Sequence, residues 1–338
     1  MSDADADPEI LRKWIVANID DIDDTPMTTE LISGGHSNVT IGVRIGDREL
    51  VVRRPPVTAF LPTANDVGRE YRFYSALHDT DVPTPRAFAF CDDASVLGAP
   101  FYVMERLHGV VPHEVDALDG FTAEDAAALC ERFVDVLVAI HAVDYQAVGL
   151  GDVGKPTGYL ERQVRRWTDQ WDRAKIADDP VIDQLASILG ANIPDSPAAT
   201  IVHGDYRLGN VMLDAATRRD IIGVFDWEMA TIGDPLADVG YTMLYWGTKD
   251  RPAIHTSQLC ADLPGMMRAD EIATRYAHAS GRTVDHVVFY VVLAAFKLTI
   301  IGAGNAARAR RAGAEAPAGA TSIPLADWAL EFWKRGGS

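Results

Sequence analysis

The sequence predicts an α+β chain of two lobes, a small β-rich N-terminal lobe followed by a larger, mainly helical C-terminal lobe. Three observations predict it. The first hundred residues carry short β-branched runs broken by Gly and Pro turns, with one amphipathic helix among them. From about residue 110 the texture changes to apolar residues mainly at helical spacing. No repeat and no alternation of strands with helices runs through the chain, which excludes solenoids and doubly wound sheets.

Taken in order, "TTELISGGHSNVTIGVRI" reads as two strands joined through Gly34 and Gly35. "GDRELVVRRPP" turns at Gly46-Asp47, forms a strand and is stopped by Pro55-Pro56. "ANDVGREYRFYSALH" places Val67, Tyr71, Tyr74 and Leu77 on one helical stripe, and "PRAFAFC" and "FYVMERL" read as two further strands. In "AEDAAALCERFVDVLVAIHAVD", Leu129, Phe133, Val136, Leu137 and Ile140 form an apolar helical face. Residues 156–190 and most of the chain after 236 are expected to be helical, and "RRAGAEAPAGA" (310–320) is expected to be a surface loop.

Composition limits the partners. The 338 residues are 48% hydrophobic, enough for a large core, and carry a net charge of -18 with a pI of about 4.8. Such a chain does not bind nucleic acid through a basic surface. The acidity suits either a cationic substrate or general solubility. Cys91, Cys130 and Cys260 are scattered singly, so neither a zinc site nor a disulfide framework is expected. The acidic start "MSDADADPEI" is unlike a signal peptide. Lys297 interrupts the apolar run "VVFYVVLAAF" short of the ~18–20 residues that span a bilayer. A buried helix, no membrane partner and a cytoplasmic location are expected.

The chemistry centres on "IVHGDYRLGN" (201–210), where Asp205 precedes Asn210 by five residues behind His203. That is the spacing of a kinase catalytic loop, although Asp, Gly and Asn are also common turn formers. Downstream, "VMLD", a polar turn and "IIGVF" read as a hairpin. A hairpin brings the start of its first strand beside the end of its second, so Asn210 and Asp226 are expected side by side. An amide oxygen and a carboxylate there suit Mg²⁺, and Asp205 stands nearby to take a proton from a hydroxyl. Alternation in "LVVRR" puts Val51 and Arg53 on one face and Leu50 and Val52 on the other. Glu70 falls on or beside the apolar stripe of its helix, where a carboxylate needs a partner, and Arg53 is the candidate. Alone, Glu70 would read as a surface residue beside Arg69 and Arg72. "SGGHSN" (33–38) offers backbone N–H groups to phosphates, or is a plain turn.

The stretches "LVVRRPP", "GREYRFYSAL", "VPTPRAF", "GAPFYVMERLHG", "GYLERQVRRW", "HGDYRLGN" and "GVFDWEMATIGDPLADVG" lie in this order across most of residues 25–250. With them the chain resembles the aminoglycoside phosphotransferase and choline kinase superfamily, whose fold is protein-kinase-like. Within it, the chain resembles the branch fused to or encoded with acyl-CoA dehydrogenases. The resemblance implies a nucleotide-binding lobe at 1–104, a hinge at 105–109 and a catalytic, substrate-holding lobe at 110–338. It implies ATP and Mg²⁺, with Asp205 as catalytic base, Arg207 facing the transferred phosphate, and Asn210 and Asp226 as metal ligands. It further implies a nucleotide site of Gly34, Gly35, Ser37, Asn38, Val51, the Arg53–Glu70 ion pair and the backbone of Met104, Glu105, Arg106 and Leu107. Asp238 resembles the aspartate that braces the catalytic loop, or is a helix N-terminal acid. Glu228 reaches metal through water or is a surface carboxylate. Arg53 departs from the usual lysine, trading a point charge for a planar fork.

The acceptor implied is a small-molecule hydroxyl, either on a hydroxyacyl-CoA or hydroxy acid, as the branch suggests, or on an aminoglycoside or other antibiotic. A nucleotide-binding pseudokinase is the reading from another class. "GYLERQVRRWTDQWDR" concentrates Arg162, Arg165, Arg166 and Arg173 in an otherwise acidic chain. Arg162 and Arg166 are the candidate substrate contacts, against the alternative of a solvated helix paired through Glu161, Asp169 and Asp172. Trp167 and Trp171, one turn apart, read as core.

Overall fold

Strand β3 (Arg48–Arg54) organises the N-terminal lobe, because its two faces meet two different apolar clusters. In this computed structural model the described residues are 8–32, 38–56, 66–112, 115–175, 178–196, 198–246, 254, 263–311, 313 and 323–336. With β1 (Met27–Leu31), β2 (Val39–Ile45), β4 (Ala87–Cys91) and β5 (Phe101–Glu105), β3 builds a five-stranded antiparallel sheet in the order β1-β2-β3-β5-β4. Helix α2 (Val67–Leu77) covers the face that bears Val51, Tyr102 and Met104. Its buried stripe is Val67, Glu70, Phe73, Tyr74 and Leu77, with Tyr71 only partly covered.

The opposite face, with Leu50, Val52, Phe101 and Val103, is covered by α1 (Pro8–Asn18) through Leu11 and Ile15. This corrects the expectation of a single helix in the first hundred residues. Helix α1 and the one-turn α3 (Ala94–Leu97) are also there. A strand flanked by apolar residues on both sides needs two lids, and "ILRKWIV" supplies the second despite its charged surroundings.

The C-terminal lobe is helical as expected. Helix α4 (Ala123–Ala142) starts at a Thr122–Asp125 capping box and buries the whole predicted face. It is followed by α5 (Tyr159–Ala174), α6 (Pro180–Ala191), α7 (Leu236–Trp246), α8 (Ala269–Ser280), α9 (Val287–Arg311) and α10 (Ile323–Lys334). Helix α9 is the central one and packs against α5, α6, α7 and α10. It is also long and apolar enough, by length and composition, to cross a membrane, with a mean hydropathy of 2.1. Lys297 therefore does not cut the apolar run short, because the helix continues past it. Most of that stretch is buried inside the protein, as in an interior helix. The 310–320 segment lies almost wholly outside the described residues.

Between the helices sit β8 (Val211–Asp214) and β9 (Ile221–Val224), the expected hairpin, with β6 (Gly109–Val110) on the edge of β8. A second ladder, β7 (Thr200–Val202) with β10 (Thr231–Gly233), was not legible, since three residues carry no periodicity.

Helices α7 and α9 meet at Gly240, where a Cβ would lie 2.5 Å from the Tyr290 Cβ. Gly240→Ala is expected to destabilise the protein by about 1–3 kcal/mol through overpacking. Gly190→Ala in α6, where a Cβ meets nothing within 4 Å, is expected to be neutral or stabilising. Thermal midpoints of the two variants against the unchanged protein check this.

Candidate active site

The loop after β7 is held from behind by one carboxylate. Asp238, wholly buried in the first turn of α7, accepts the backbone N–H groups of His203 and Gly204, both at 2.7 Å. It also accepts His141 Nε2 at 3.3 Å, while His141 Nδ1 pairs with the Tyr276 hydroxyl at 2.8 Å. Burial pushes this carboxyl up, yet His141 and the Gly204 amide outweigh it and hold it below the usual carboxylate value. Asp238 is thus both a helix N-terminal acid and a contact to the loop.

His203 turns inward. Its Nε2 donates to the Phe225 carbonyl at 2.9 Å and its Nδ1 accepts the Asp205 N–H at 3.2 Å, which requires the neutral ring. Burial lowers its pKa in the same sense. Gly204 has φ +82°, and a Cβ there would sit 2.9 Å from the Met229 carbonyl oxygen, so the turn demands glycine.

Asp205 is gripped on both oxygens. Asn210 Nδ2 donates to Oδ2 at 2.6 Å and to the Asp205 carbonyl at 2.8 Å. The Tyr241 hydroxyl donates to Oδ1, with Arg207 Nε 3.4 Å from the same oxygen. Arg207 is largely buried over the Tyr245 ring, at 5.4 Å. Its Nε and Nη1 make no hydrogen bond. Burial opposes its charge, but Asp205 and the neighbouring tyrosines raise its pKa overall.

The hairpin works as its sequence predicts. Val211 pairs with Val224, and the Asn210 carbonyl accepts the Phe225 N–H at 2.9 Å, which brings Asn210 and Asp226 to the same open end. Asp226 sits in the left-handed region at φ +68°, and its Oδ1 is buried without a hydrogen bond. Glu228 follows, half-buried, in the short turn Trp227–Met229.

Strand β3 delivers Arg53 to this point from the other lobe. Its Nη1 is 3.4 Å from Glu70 Oε1 and its Nη2 is 3.8 Å from Asp226 Oδ1, so one guanidinium bridges two carboxylates. Glu70 is fully buried, not a surface residue. Burial raises its pKa against the pull of Arg53. Burial works against the charge of Arg53 too, but Glu70 heads the groups that keep it protonated. Beside Arg53, Val51 and Met104 are cross-strand neighbours, both buried.

After β5 the chain crosses to the second lobe. Glu105 accepts the Arg86 N–H at 3.2 Å, Arg106 pairs with Glu30, and Leu107 packs near Gly223 of the hairpin. Asn38 is buried with its Oδ1 unbonded. Gly34, Gly35 and Ser37 lie outside the described residues.

Four neighbours were not foreseen in this role. Trp227 stacks on Phe73 of α2 (5.8 Å, 12°) and lies 4.6 Å from the His203 ring, linking the two lobes behind the site. Arg69, next to Glu70, donates to the carbonyls of Ala230 (3.0 Å) and Val153 (2.8 Å). Tyr241 and Lys297 complete the set. Lys297 Nζ donates to the Gly204 carbonyl at 2.7 Å. The signal for it was in plain view, a lone lysine inside an apolar helix.

Helix α5 presents the arginine cluster to a cavity of about 590 Å³ lined by Lys155, Arg162, Arg165, Arg166 and Arg173, with Asp169 the one carboxylate. Among the described residues no ion pair joins these arginines to Glu161, Asp169 or Asp172, and Asp172 pairs with Lys175 instead. Arg162 donates to the backbone carbonyls of Lys155 and Thr157, and Arg166 lies 5.4 Å over Trp167. Trp167 and Trp171 are core. Tyr159 and Gln163 line both this cavity and a small one of about 40 Å³ against Gly204, Tyr241 and Lys297.

The model of the phosphotransferase enzyme family known as APH matches residues 28–272. Mouse acyl-CoA dehydrogenase family member 10 is 35% identical over 236 residues, 70% of this chain and 22% of that protein. Human acyl-CoA dehydrogenase family member 11 is 30% identical over 282 residues, 82% and 36% respectively. The chain therefore spans between about a fifth and two fifths of these curated relatives. Among solved structures, a Ralstonia eutropha JMP134 protein assigned to the aminoglycoside phosphotransferases superposes with a TM-score of 0.85 at 32% identity, covering 97% of this chain and 98% of that one. Aminoglycoside phosphotransferase APH(4)-Ia, in ternary complex with AMP-PNP and hygromycin B, shares the fold with a TM-score of 0.62 at 15% identity, covering 95% and 97%.

Proposed function

This chain belongs to the APH phosphotransferase enzyme family, and from that membership we propose that it moves the terminal phosphoryl group of ATP to a hydroxyl of a small anionic molecule. The observation that carries the proposal is the meeting of Asp205, Asn210, Asp226 and the Arg53–Glu70 pair at one junction of the two lobes. Residues 1–104 are the nucleotide lobe in this reading, 105–109 the hinge and 110–338 the catalytic and acceptor lobe. The base of the nucleotide meets the backbone of Met104 to Leu107. Its phosphates lie beside Arg53 and the buried Asn38. The protein works in the cytoplasm, with neither nucleic acid nor membrane as partner.

Magnesium fits the residues present. The buried Oδ1 of Asp226, which faces Arg53 at 3.8 Å but accepts no hydrogen bond, is a hard oxygen donor. Asn210 spends its Nδ2 on Asp205, which leaves its amide oxygen for a cation. Among the described residues no group of three or more His, Cys, Asp and Glu could hold a metal ion, so a transition-metal cage is not the alternative. Bound there by Asn210 and Asp226, Mg²⁺ supplies neutralising charge for the phosphates.

The protein's own groups do the rest. Asp205, its carboxylate fixed by two donors, takes the proton of the acceptor hydroxyl. The freed oxygen bonds to the terminal phosphorus as the bond to the ADP oxygen breaks, so one proton and one phosphoryl group change hands. Arg207 holds a positive charge beside Asp205 where the transferred group passes.

The arginine cavity supports the acceptor class. Guanidinium forks bind phosphate and carboxylate groups best, and five basic residues line this cavity in a chain of net charge -18. A hydroxyacyl-CoA or free hydroxy acid satisfies it, and the names of the curated relatives point the same way. The surface charge would draw a polycationic aminoglycoside only over a screening length of about 10 Å and does not shape the pocket.

Asp205→Asn is expected to keep Mg-nucleotide binding and lose about 10²- to 10⁴-fold in turnover, because a base is removed and no metal ligand. Steady-state rates beside nucleotide-induced thermal shifts check this, and full activity would refute the assignment. Asp226→Ala is expected to lose the extra thermal shift that Mg²⁺ adds to ATP. An unchanged magnesium-dependent shift would remove Asp226 as a principal ligand. For the acceptor, transfer from ATP to hydroxyacyl-CoAs, hydroxy acids, choline-like amines and aminoglycosides is to be compared, with and without Arg162→Ala and Arg166→Ala. Phosphorylation of the anionic compounds, weakened by the arginine changes, is expected. An aminoglycoside phosphorylated efficiently in both forms would overturn the anionic class, and a chain that binds nucleotide yet turns over nothing would be a pseudokinase.

A further inference from the structure

The partly buried cation behind the base has no part in the reaction as written. Lys297 lies midway along α9 among Phe289, Leu293, Phe296 and Ile300, all buried. Taking an ammonium out of water is costly unless donors and charges compensate it, and a methionine would fill the same space without that cost. The lysine is nonetheless used closely. Its Nζ donates to the Gly204 carbonyl at 2.7 Å and lies 4.7 Å from the Tyr241 ring centroid and 5.9 Å from that of Trp167.

Tyr241 stands one turn of α7 beyond Asp238 and donates its hydroxyl to Asp205 Oδ1. Asn210 holds the other oxygen at 2.6 Å. Two donors on opposite oxygens fix the plane of a carboxylate and leave each oxygen a further lone pair. Burial pushes the Tyr241 phenol well above its ordinary value, with Asp205 adding to it, so the hydroxyl keeps its proton as a donor.

We propose that Lys297 and Tyr241 form a positioning relay for the catalytic base, in which Lys297 fixes the Gly204 peptide and the Tyr241 ring, and Tyr241 fixes the plane of Asp205. The proposal rests on Asp205 being the base, as argued above. Neither residue is assigned to touch the acceptor. The cavity between them, about 40 Å³, has room for about one water and not for an acceptor group. Lys297 therefore acts through Tyr241 and the loop.

The test uses water as the acceptor and follows steady-state hydrolysis of Mg·ATP by the full chain and by its Lys297→Met, Tyr241→Phe and doubly substituted forms, with Asp205→Asn as reference. Misplacing a reacting group costs on the order of 10²-fold. Each single change is expected to lower kcat on that scale while the KM for Mg·ATP stays within about twofold, and the double change to be no worse than about twofold below the poorer single. A general loss of structure would instead raise KM and lower the thermal midpoint, which is recorded alongside. Tyr241→Phe removes one hydroxyl only, so it decides the matter even where Lys297→Met folds poorly. Unchanged kcat in an otherwise active protein, a KM that rises as kcat falls, or losses that multiply in the double form overturn the relay and leave the phosphotransferase reading standing. Where the unchanged chain hydrolyses no ATP, the same comparison is made on transfer to whichever acceptor of the panel it phosphorylates, and a chain inactive with water and with every acceptor overturns that reading and the relay with it.

Discussion

The loop that carries Asp205 depends on one carboxylate it does not contain. Two consecutive backbone N–H groups, of His203 and Gly204, point into the protein where no strand can satisfy them, and Asp238 takes both at 2.7 Å. Buried amides left without an acceptor cost about 1–3 kcal/mol each, so this contact decides whether the loop can turn at all. The turn itself needs the left-handed Gly204, and His203 must be neutral to serve Phe225 and Asp205 at once. Everything at the site inherits its position from that arrangement. Asn210 is fixed against Asp205, and the Asn210 carbonyl in turn sets the register that delivers Asp226.

The second lobe contact is electrostatic rather than hydrogen-bonded. Arg53 comes from β3, Glu70 from α2 and Asp226 from the end of the hairpin. A lysine would present a single ammonium to these carboxylates. The planar fork of arginine addresses both with separate nitrogens, at 3.4 and 3.8 Å. Behind this pair the contacts of Phe73 with Trp227, and of Trp227 with His203, join α2, the turn after the hairpin and the loop after β7 through their rings. The lobes are therefore matched twice, by polar groups in the cleft and by rings beneath it.

Much of this was legible because it is periodic or locally spaced. Alternation in "LVVRR" put Arg53 on the face of Val51, and a two-strand hairpin put Asn210 opposite Asp226. The elements that escaped are those whose reason lies far away in the chain. Helix α1 looks like a charged tail until β3 needs a second cover, and the β7–β10 ladder is too short to announce itself. Lys297 was read as the end of an apolar run, because its acceptor, the Gly204 carbonyl, is 93 residues distant. Local pattern reveals which face a side chain takes, and tertiary contact alone reveals what waits there.

The backbone of Asp226 sets conformational ease against charge. A non-glycine residue held at φ +68° carries a conformational cost on the order of 1 kcal/mol, and here it also buries an unbonded carboxylate oxygen. Glycine or asparagine would relieve the backbone, and either would remove the charge. A substitution that eases this backbone therefore also strips the cleft of the carboxylate that Arg53 faces and that the proposed function assigns to the cation.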